Sequence, residues 1–156
     1  MIRPIQDSDY QQLADLYKAF FQTHNIFSQD QAIIENYLRK ESLEREDFLI
    51  FEEGGDIKGA IIIVLLGKSS DNTHSRWKFR HFAFETEAIA LDLLEYAEEI
   101  IKQTSQTCKI ELTIAENEEG IEFYKNNGYE QEAMLRNHYR WDETCFILGK
   151  SLQNGV

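Results

Sequence analysis

Apolar residues that recur at spacings of three and four predict the first two helices of this chain. The first of these helices follows Ser8, which with Gln11 three residues later forms a helix-start signal. Its apolar face consists of Leu13, Leu16, Tyr17, Phe20 and Phe21. Ser28 and Gln31 repeat the signal for a second helix, whose apolar face ends before the charged stretch 39–47. The second helix is therefore expected to be the shorter one.

Alternating and continuous apolar runs predict the strands. The run 47–53 is rich in β-forming residues and precedes a tight-turn signal at 54–56, so it forms a hairpin with 57–66. Residues 61–64 are apolar on both faces, which favours a central strand covered by helices on both sides. Further strands are expected at 3–6, 76–84, 108–115, 130–140 and 144–149.

Two more helices complete the pattern. The longest helical periodicity covers 85–103. Asn117 is expected to cap a short helix that carries Tyr124. That helix should end at Asn127 and Gly128, because these residue types tolerate the left-handed conformation that follows a helix.

The order of these elements defines the fold class. Strand, helix, helix, three strands, helix, strand, helix and two strands follow one another without a repeat or a low-complexity linker. This α/β order fits one mixed sheet of six to seven strands with helices on both faces. A chain of 156 residues has the usual size of one domain. We therefore expect a single domain over 1–152 and a frayed tail at 153–156.

Composition and charge exclude several classes of protein. Apolar residues make up 42% of the chain, which supplies enough material for a core. The longest apolar run, 60–66, is far shorter than the roughly 20 residues of a membrane span, so no membrane partner is expected. The formal net charge of −12 disfavours binding to nucleic acid. The N-terminus lacks the apolar core of a signal peptide, so we expect a cytoplasmic protein.

Neither the cysteines nor the histidines have the spacing of metal ligands. Cys108 and Cys145 are expected to be reduced core thiols, with an incidental disulfide if their strands are neighbours. The four histidines are His24, His74, His81 and His138. No metal site is predicted.

The stretch 115–129, AENEEGIEFYKNNGY, contains the most specific motif of the chain. With the element order, it resembles the GNAT superfamily of N-acetyltransferases, and the resemblance covers nearly the whole chain. The matching residues are Asn117, Ile121, Phe123, Tyr124, Gly128 and Tyr129. The resemblance implies a GNAT-like fold and transfer of an acetyl group from acetyl-CoA to a small-molecule or peptide amine. Since similar proteins commonly dimerise, a homodimer is also compatible with it.

The resemblance further implies the location of the site. In that fold the strands at 76–84 and 108–115 splay apart, and the pantetheine arm of the cosubstrate pairs with the backbone of the first strand. The implied cofactor-binding residues are Phe82, Ala83, Phe84, Ala88, Ile89, Ala90 and Asn117. Tyr124 falls where the family often has a tyrosine near the CoA sulfur, and a phenol can protonate a departing thiolate. The alternative is that Tyr124 only packs on the sheet.

The segment before the long helix departs from the family pattern. Members typically have Q/R-x-x-G-x-G/A there, so that backbone N–H groups at a helix N-terminus bind the pyrophosphate. The equivalent residues here are ETEAIA at 85–90, in a loop that is about four residues short, and only Ala90 fits. Glu85 and Glu87 place carboxylates where a phosphate would lie, although they also suit the helix dipole. Binding of acetyl-CoA is therefore expected to be weak, altered or lost.

A base must accept the proton of the attacking amine. His81 is the best candidate, with Glu111 second, and the alternative for His81 is a hydrogen-bonded core residue. Two groups of three basic residues recur at every second position of a predicted strand, so each group is expected to share one face of the sheet. Each group either contacts a phosphate-bearing ligand or pairs with acidic residues. They are Arg76, Lys78 and Arg80, and Arg136, His138 and Arg140.

Two functions of different classes follow. One is an N-acyltransferase that works by direct attack of the amine on the thioester, with Tyr124 and His81 as catalytic residues. The other is a catalytically degenerate module of the same fold that senses a ligand or binds a protein.

Overall fold

The computed structural model describes residues 1–21, 26–44 and 47–154. The strands are β1 (Ile2–Pro4), β2 (Asp47–Glu53), β3 (Asp56–Lys68), β4 (His74–Phe84), β5 (Thr107–Ala115), β6 (Glu130–Arg136) and β7 (Thr144–Gln153). The helices are α1 (Tyr10–Phe20), α2 (Gln31–Glu44), α3 (Glu87–Lys102) and α4 (Ile121–Asn126), with short 3₁₀ turns at Asp7–Asp9 and Ile26–Ser28. The predicted order of strands and helices is confirmed.

The strands form one mixed sheet of seven in the order β1-β2-β3-β4-β5-β7-β6. β4 pairs in parallel with β5, from His74 opposite Thr107 to Lys78 opposite Glu111. The other pairs with a described register are antiparallel. The predicted mixed sheet is confirmed, while the splaying of the two parallel strands stays a prediction.

The chain divides into two compact units. The first unit consists of Met1–Val64 and Phe79–Glu99, and the second consists of Leu65–Lys78 and Ile100–Val156. In the first unit α1 and α2 pack on one face of β3, where Ala60 and Ile62 belong to their apolar cluster. Gly59 faces the other way, and a Cβ there would lie 2.7 Å from Leu93 Cδ1 and 2.8 Å from Ile89 Cγ2 of α3. Helices therefore cover both faces of β3, and glycine is what lets α3 approach so closely.

In the second unit β5 and β7 are antiparallel neighbours. Cys108 lies opposite Leu152, whereas Cys145 lies opposite Ala115, seven residues further along β5. That separation is about 23 Å at the usual rise of a strand, far beyond the roughly 7 Å that a disulfide allows between Cα atoms. Both cysteines are buried and free, so the strands are neighbours but the disulfide is excluded by register.

Several predicted boundaries are wrong for local reasons. The cap of the first helical segment is not Ser8, because the Gln6 N–H donates to the Asp9 carboxylate at 2.6 Å. α2 is longer than α1, since the charged stretch continues the helix and Glu41 is buried within it. β6 ends at Arg136, because Asn137 takes a φ of 52°.

The C-terminal boundary also differs. β7 continues through Gln153, and the Asn154 N–H donates to the Gln106 carbonyl at 2.8 Å. Gln153 is therefore not part of a frayed tail, and the rest of that prediction, at 155–156, lies outside the described residues. Among the described helices, none combines the length and apolar character needed to cross a membrane.

Candidate functional site

β4 is distorted at His81. Its φ of 47° is a left-handed conformation that side chains other than glycine rarely adopt. The Tyr17 hydroxyl of α1 donates to the His81 carbonyl at 2.7 Å, which ties the distorted peptide to a buried residue of that helix. After it, Phe82 and Ala83 are both buried. Such a distortion re-aims the peptide groups that follow it, and such backbone strain is concentrated at functional sites.

The imidazole of His81 lies among aromatic side chains of α1, α2 and the segment between them. Its ring centroid is 6.0 Å from that of Tyr17, 5.2 Å from Phe27 and 5.6 Å from Tyr37. Nε2 is 2.6 Å from the Tyr37 hydroxyl oxygen, a hydrogen bond whose direction depends on the tautomer. This is the environment of a hydrogen-bonded core histidine, and it also connects the ring to a hydroxyl that can exchange a proton. The role of His81 as a base stays a prediction.

The first basic trio is largely paired with carboxylates. Arg80 Nε lies 4.0 Å from the buried Glu41, and Arg76 Nη2 lies 3.9 Å from Glu111 Oε1. Glu111, the second candidate base, is thus part of an ion pair. These contacts favour the interpretation of Arg76 and Arg80 as partners of acidic residues.

The second basic trio does not share a strand face. Arg136 is the last residue of β6, whereas His138 and Arg140 belong to the turn that follows Asn137. The prediction of a common face is wrong because the left-handed conformation of Asn137 ends the strand. Arg140 Nε instead lies 3.8 Å from the Glu143 carboxylate.

The junction between β4 and α3 is built around Thr86. Its side-chain oxygen accepts a hydrogen bond from the Ile89 N–H at 3.3 Å, so Thr86 caps α3. The Glu85 N–H donates to the Lys58 carbonyl of β3 at 2.9 Å, which is why the helix begins at Glu87 and not at 85. Of the residues predicted to bind the cofactor here, Ala88 is exposed, whereas Ile89 and Ala90 are buried.

A cleft of about 540 Å³ lies within the first unit, beside the end of β4. Apolar wall residues include Leu16, Phe20 and Phe84, and acidic residues at its border are Asp15, Asp56 and Glu85. Lys58 also lines it, with its ammonium 2.8 Å from Glu53, and this hydrogen bond raises the pKa of Lys58. Because that ammonium is engaged by Glu53, the border of the cleft is predominantly negative.

Tyr124 lies in α4, in the second unit. It is buried, and its ring packs 5.4 Å from Phe123 and 5.8 Å from Tyr129 between centroids. Burial, and after it the charge of Glu118, raises the pKa of Tyr124 well above its ordinary value. The phenol therefore stays protonated at neutral pH and has a proton to donate.

The ends of α4 test two further predictions. Asn117 is exposed and does not cap the helix, since α4 begins after Gly120, whose φ of 107° requires a glycine. The predicted C-terminal end is confirmed. Asn127 is the C-cap, Gly128 has a φ of 90°, and the Tyr129 N–H donates back to the Tyr124 carbonyl at 3.0 Å.

The site also contains residues that the sequence did not identify. Tyr17 and Tyr37 contact His81 from 64 and 44 residues away in sequence, and no local pattern indicates such contacts. Thr86 does have a local signal, a threonine directly before an apolar helical periodicity.

Neither a protein-family model nor a curated protein sequence matches this chain, but solved structures do. Naa50 of Arabidopsis thaliana, in complex with the bisubstrate analogue CoA-Ac-MVNAL, has a TM-score of 0.75 and 21% identity, covering 97% of this chain and 98% of that chain. An aminoglycoside 6′-N-acetyltransferase complexed with coenzyme A has a TM-score of 0.69 and 15% identity, covering 97% and 96%. The ribosomal-protein-alanine N-acetyltransferase from Brucella melitensis has a TM-score of 0.64 and 15% identity, covering 97% and 99%. The chain therefore has the fold of the GNAT N-acetyltransferases, as its sequence motif predicts.

Proposed function

We propose that this protein is an acetyl-CoA-dependent N-acyltransferase that moves an acetyl group to an amine by direct attack. The observation that carries the proposal is the distortion of β4 at His81, directly before the segment that the resemblance assigns to the cosubstrate. The similar fold of acetyltransferases solved with CoA or a CoA-containing analogue supports it.

In this proposal the pantetheine arm pairs with the backbone of Phe82, Ala83 and Phe84. The side chains of Phe82 and Ala83 are buried, so the peptide groups between them are held in place before any ligand binds. A strand with anchored side chains suits an extended arm with amide groups, because backbone hydrogen bonds then form at little entropic cost. The β4 segment therefore fits this part of the cosubstrate.

The chemistry is the aminolysis of a thioester. The nitrogen of a neutral amine forms a bond to the acetyl carbon, the carbon–sulfur bond breaks, and the sulfur leaves as a thiolate. Tyr124, whose phenol is protonated at neutral pH, is proposed to protonate that thiolate. His81, hydrogen-bonded to Tyr37, is proposed to accept the proton that the amine loses. The products are an amide and a thiol.

The acceptor is proposed to be an amine on a small molecule or a peptide. Two proteins of the same fold are a ribosomal-protein-alanine N-acetyltransferase and an aminoglycoside 6′-N-acetyltransferase. The net charge of −12 favours cationic acceptors by long-range attraction. We also propose that the protein is cytoplasmic and that it forms a homodimer.

The second candidate function is a module of this fold without catalysis. It is favoured by one observation, the carboxylates of Glu85 and Glu87 at the junction where the family binds a pyrophosphate. Under this alternative the chain keeps the scaffold and binds another ligand or a protein.

Thermal unfolding with acetyl-CoA and with CoA, combined with a thiol-release assay over a panel of amines, separates the two functions. A ligand present at 100 times its dissociation constant stabilises the folded state by about 2.7 kcal/mol. We expect stabilisation by both ligands and amine-dependent release of thiol. No stabilisation and no thiol release at millimolar acetyl-CoA would refute the enzyme and leave the module.

A further inference from the structure

We infer that the chain recognises its acyl donor through the pantetheine arm and not through the nucleotide. An acyl-pantetheine thioester without the pyrophosphate should then bind about as well as acetyl-CoA. This inference rests on the proposed function, and it names the chemical class of donor that the same site accepts.

The first argument is the number of backbone donors that remain for a pyrophosphate. The Glu85 N–H donates to the Lys58 carbonyl, the Ile89 N–H to the Thr86 hydroxyl, and the Ala90 N–H to the Thr86 carbonyl. An anion at a helix N-terminus is held by N–H groups of the first turn. Within the part of the chain that the structure describes, the N–H groups left for an anion at the start of α3 are those of Thr86, Glu87 and Ala88.

The second argument is the sign of the charge around those groups. Glu87 is itself one of these residues, and the exposed Glu85 stands just before the helix. Asp15 and Asp56 add negative charge across the adjacent cleft. The ammonium of Lys58 also attracts Glu85 and Asp56, but its hydrogen bond is with Glu53, so the carboxylates outnumber it. A pyrophosphate with two negative charges is therefore repelled at the place where the fold would otherwise bind it.

The third argument is that the pantetheine arm carries no charge. It consists of amides, a hydroxyl and short apolar chains, so the same carboxylates do not oppose it. The segment 82–84, to which the proposed function assigns the arm, lies in the first unit, and the apolar side chain of Phe84 lines the cleft there. The electrostatic penalty thus falls on the nucleotide alone, and removing the nucleotide removes the penalty.

Calorimetry with CoA and with pantetheine tests this directly. We expect the dissociation constant of pantetheine to be within about ten-fold of that of CoA. The reason is that the repulsion of the pyrophosphate by the carboxylates offsets most of the favourable contacts that the nucleotide makes. Raising the ionic strength from about 0.01 M to about 1 M should tighten the binding of CoA, since like charges are screened, and leave pantetheine unchanged. In turnover, kcat/KM for acetyl-CoA should rise with salt, while that for S-acetyl-pantetheine stays constant.

Glu85→Gln and Glu87→Gln test the residues that carry the argument. Each should tighten CoA about five-fold at low ionic strength and leave pantetheine unchanged, as expected for one charge pair at about 4 Å in water. Glu95→Gln is the matched control. It is exposed on the same helix, eight residues or about 12 Å beyond Glu87, and it should change neither ligand.

The outcomes separate this inference from the proposed function. CoA that binds more than about 100-fold tighter than pantetheine, or that weakens as salt is added, overturns the inference and leaves the acyltransferase intact. Glutamine variants that leave CoA binding unchanged also overturn it. If neither thiol binds and neither thioester reacts, the proposed function itself fails.

Discussion

The hydroxyl of Tyr17 is predicted to hold β4 in its distorted conformation at His81. Tyr17→Phe removes one hydroxyl and keeps the ring, which stacks 4.9 Å from Phe27 between centroids. Tyr17 has no exposed surface and its bond to the His81 carbonyl is partly buried, so water replaces the lost donor poorly. A buried acceptor left without its partner costs about 1 to 3 kcal/mol.

Urea unfolding, followed by circular dichroism, measures this loss as a free energy, and thermal unfolding measures it as a decrease in Tm. For a domain of this size, a loss of 1 kcal/mol lowers Tm by about 2 to 4 °C, so we expect a decrease of roughly 2 to 12 °C. Tyr10→Phe is the matched control, since Tyr10 is a buried tyrosine at the start of the same helix. In the acyltransferase assay Tyr17→Phe should also lower kcat/KM, because the residues after His81 lose their anchor.

The comparison between the two tyrosines decides the outcome. If Tyr17→Phe and Tyr10→Phe lower the free energy of unfolding equally, the hydroxyl does not hold the distortion. A large loss of stability with unchanged kcat/KM would refute only the link between the distortion and the site.

Three further predictions concern single contacts. Tyr124→Phe should lower turnover and leave the affinity for CoA nearly unchanged, and unaltered turnover would reduce Tyr124 to a packing role. Gly59→Ala should lower the free energy of unfolding by about 1 to 3 kcal/mol, because its Cβ would overlap α3. Gly67→Ala, with nothing within 4 Å of the added carbon, is the control in the same urea titration. Burial opposes ionisation of Asp9, but its hydrogen bonds with Arg3 at 2.8 and 2.9 Å help to lower its pKa. The stabilisation from that pair should be fully present above the ordinary carboxyl pKa of about 4 and should be lost as the pH falls through the lower pKa of the folded state. In a plot of the free energy of unfolding against pH, Asp9→Asn should therefore flatten the acid limb.

Local signals in the sequence were sufficient for most of the fold. The turn at Gly54 and Gly55 takes positive φ angles of 63° and 88°, as a tight hairpin turn of glycines should. The helix end at Gly128 follows from the same freedom of glycine. These elements were predictable because the residues that define them are neighbours in sequence.

The candidate site was predictable only in part. His81 and Tyr124 were chosen by residue type and by resemblance, and both lie in environments that suit several roles. The distortion at His81 had no signal in the sequence, because a histidine in an apolar strand predicts ordinary alternation. The Tyr17 hydroxyl that we expect to hold it lies 64 residues earlier in the chain.

The sequence by itself determined the order of strands and helices, the tight turns and the absence of a basic or amide residue at the junction before α3. Each of these depends on residues within a few positions of one another, where backbone preference and apolar periodicity act. Only the tertiary structure decided that the two cysteines lie too far apart to pair, that Thr86 uses the Ile89 N–H, and that β4 is distorted at His81. These features depend on register, on which donors remain after folding and on contacts between distant segments, which packing alone determines.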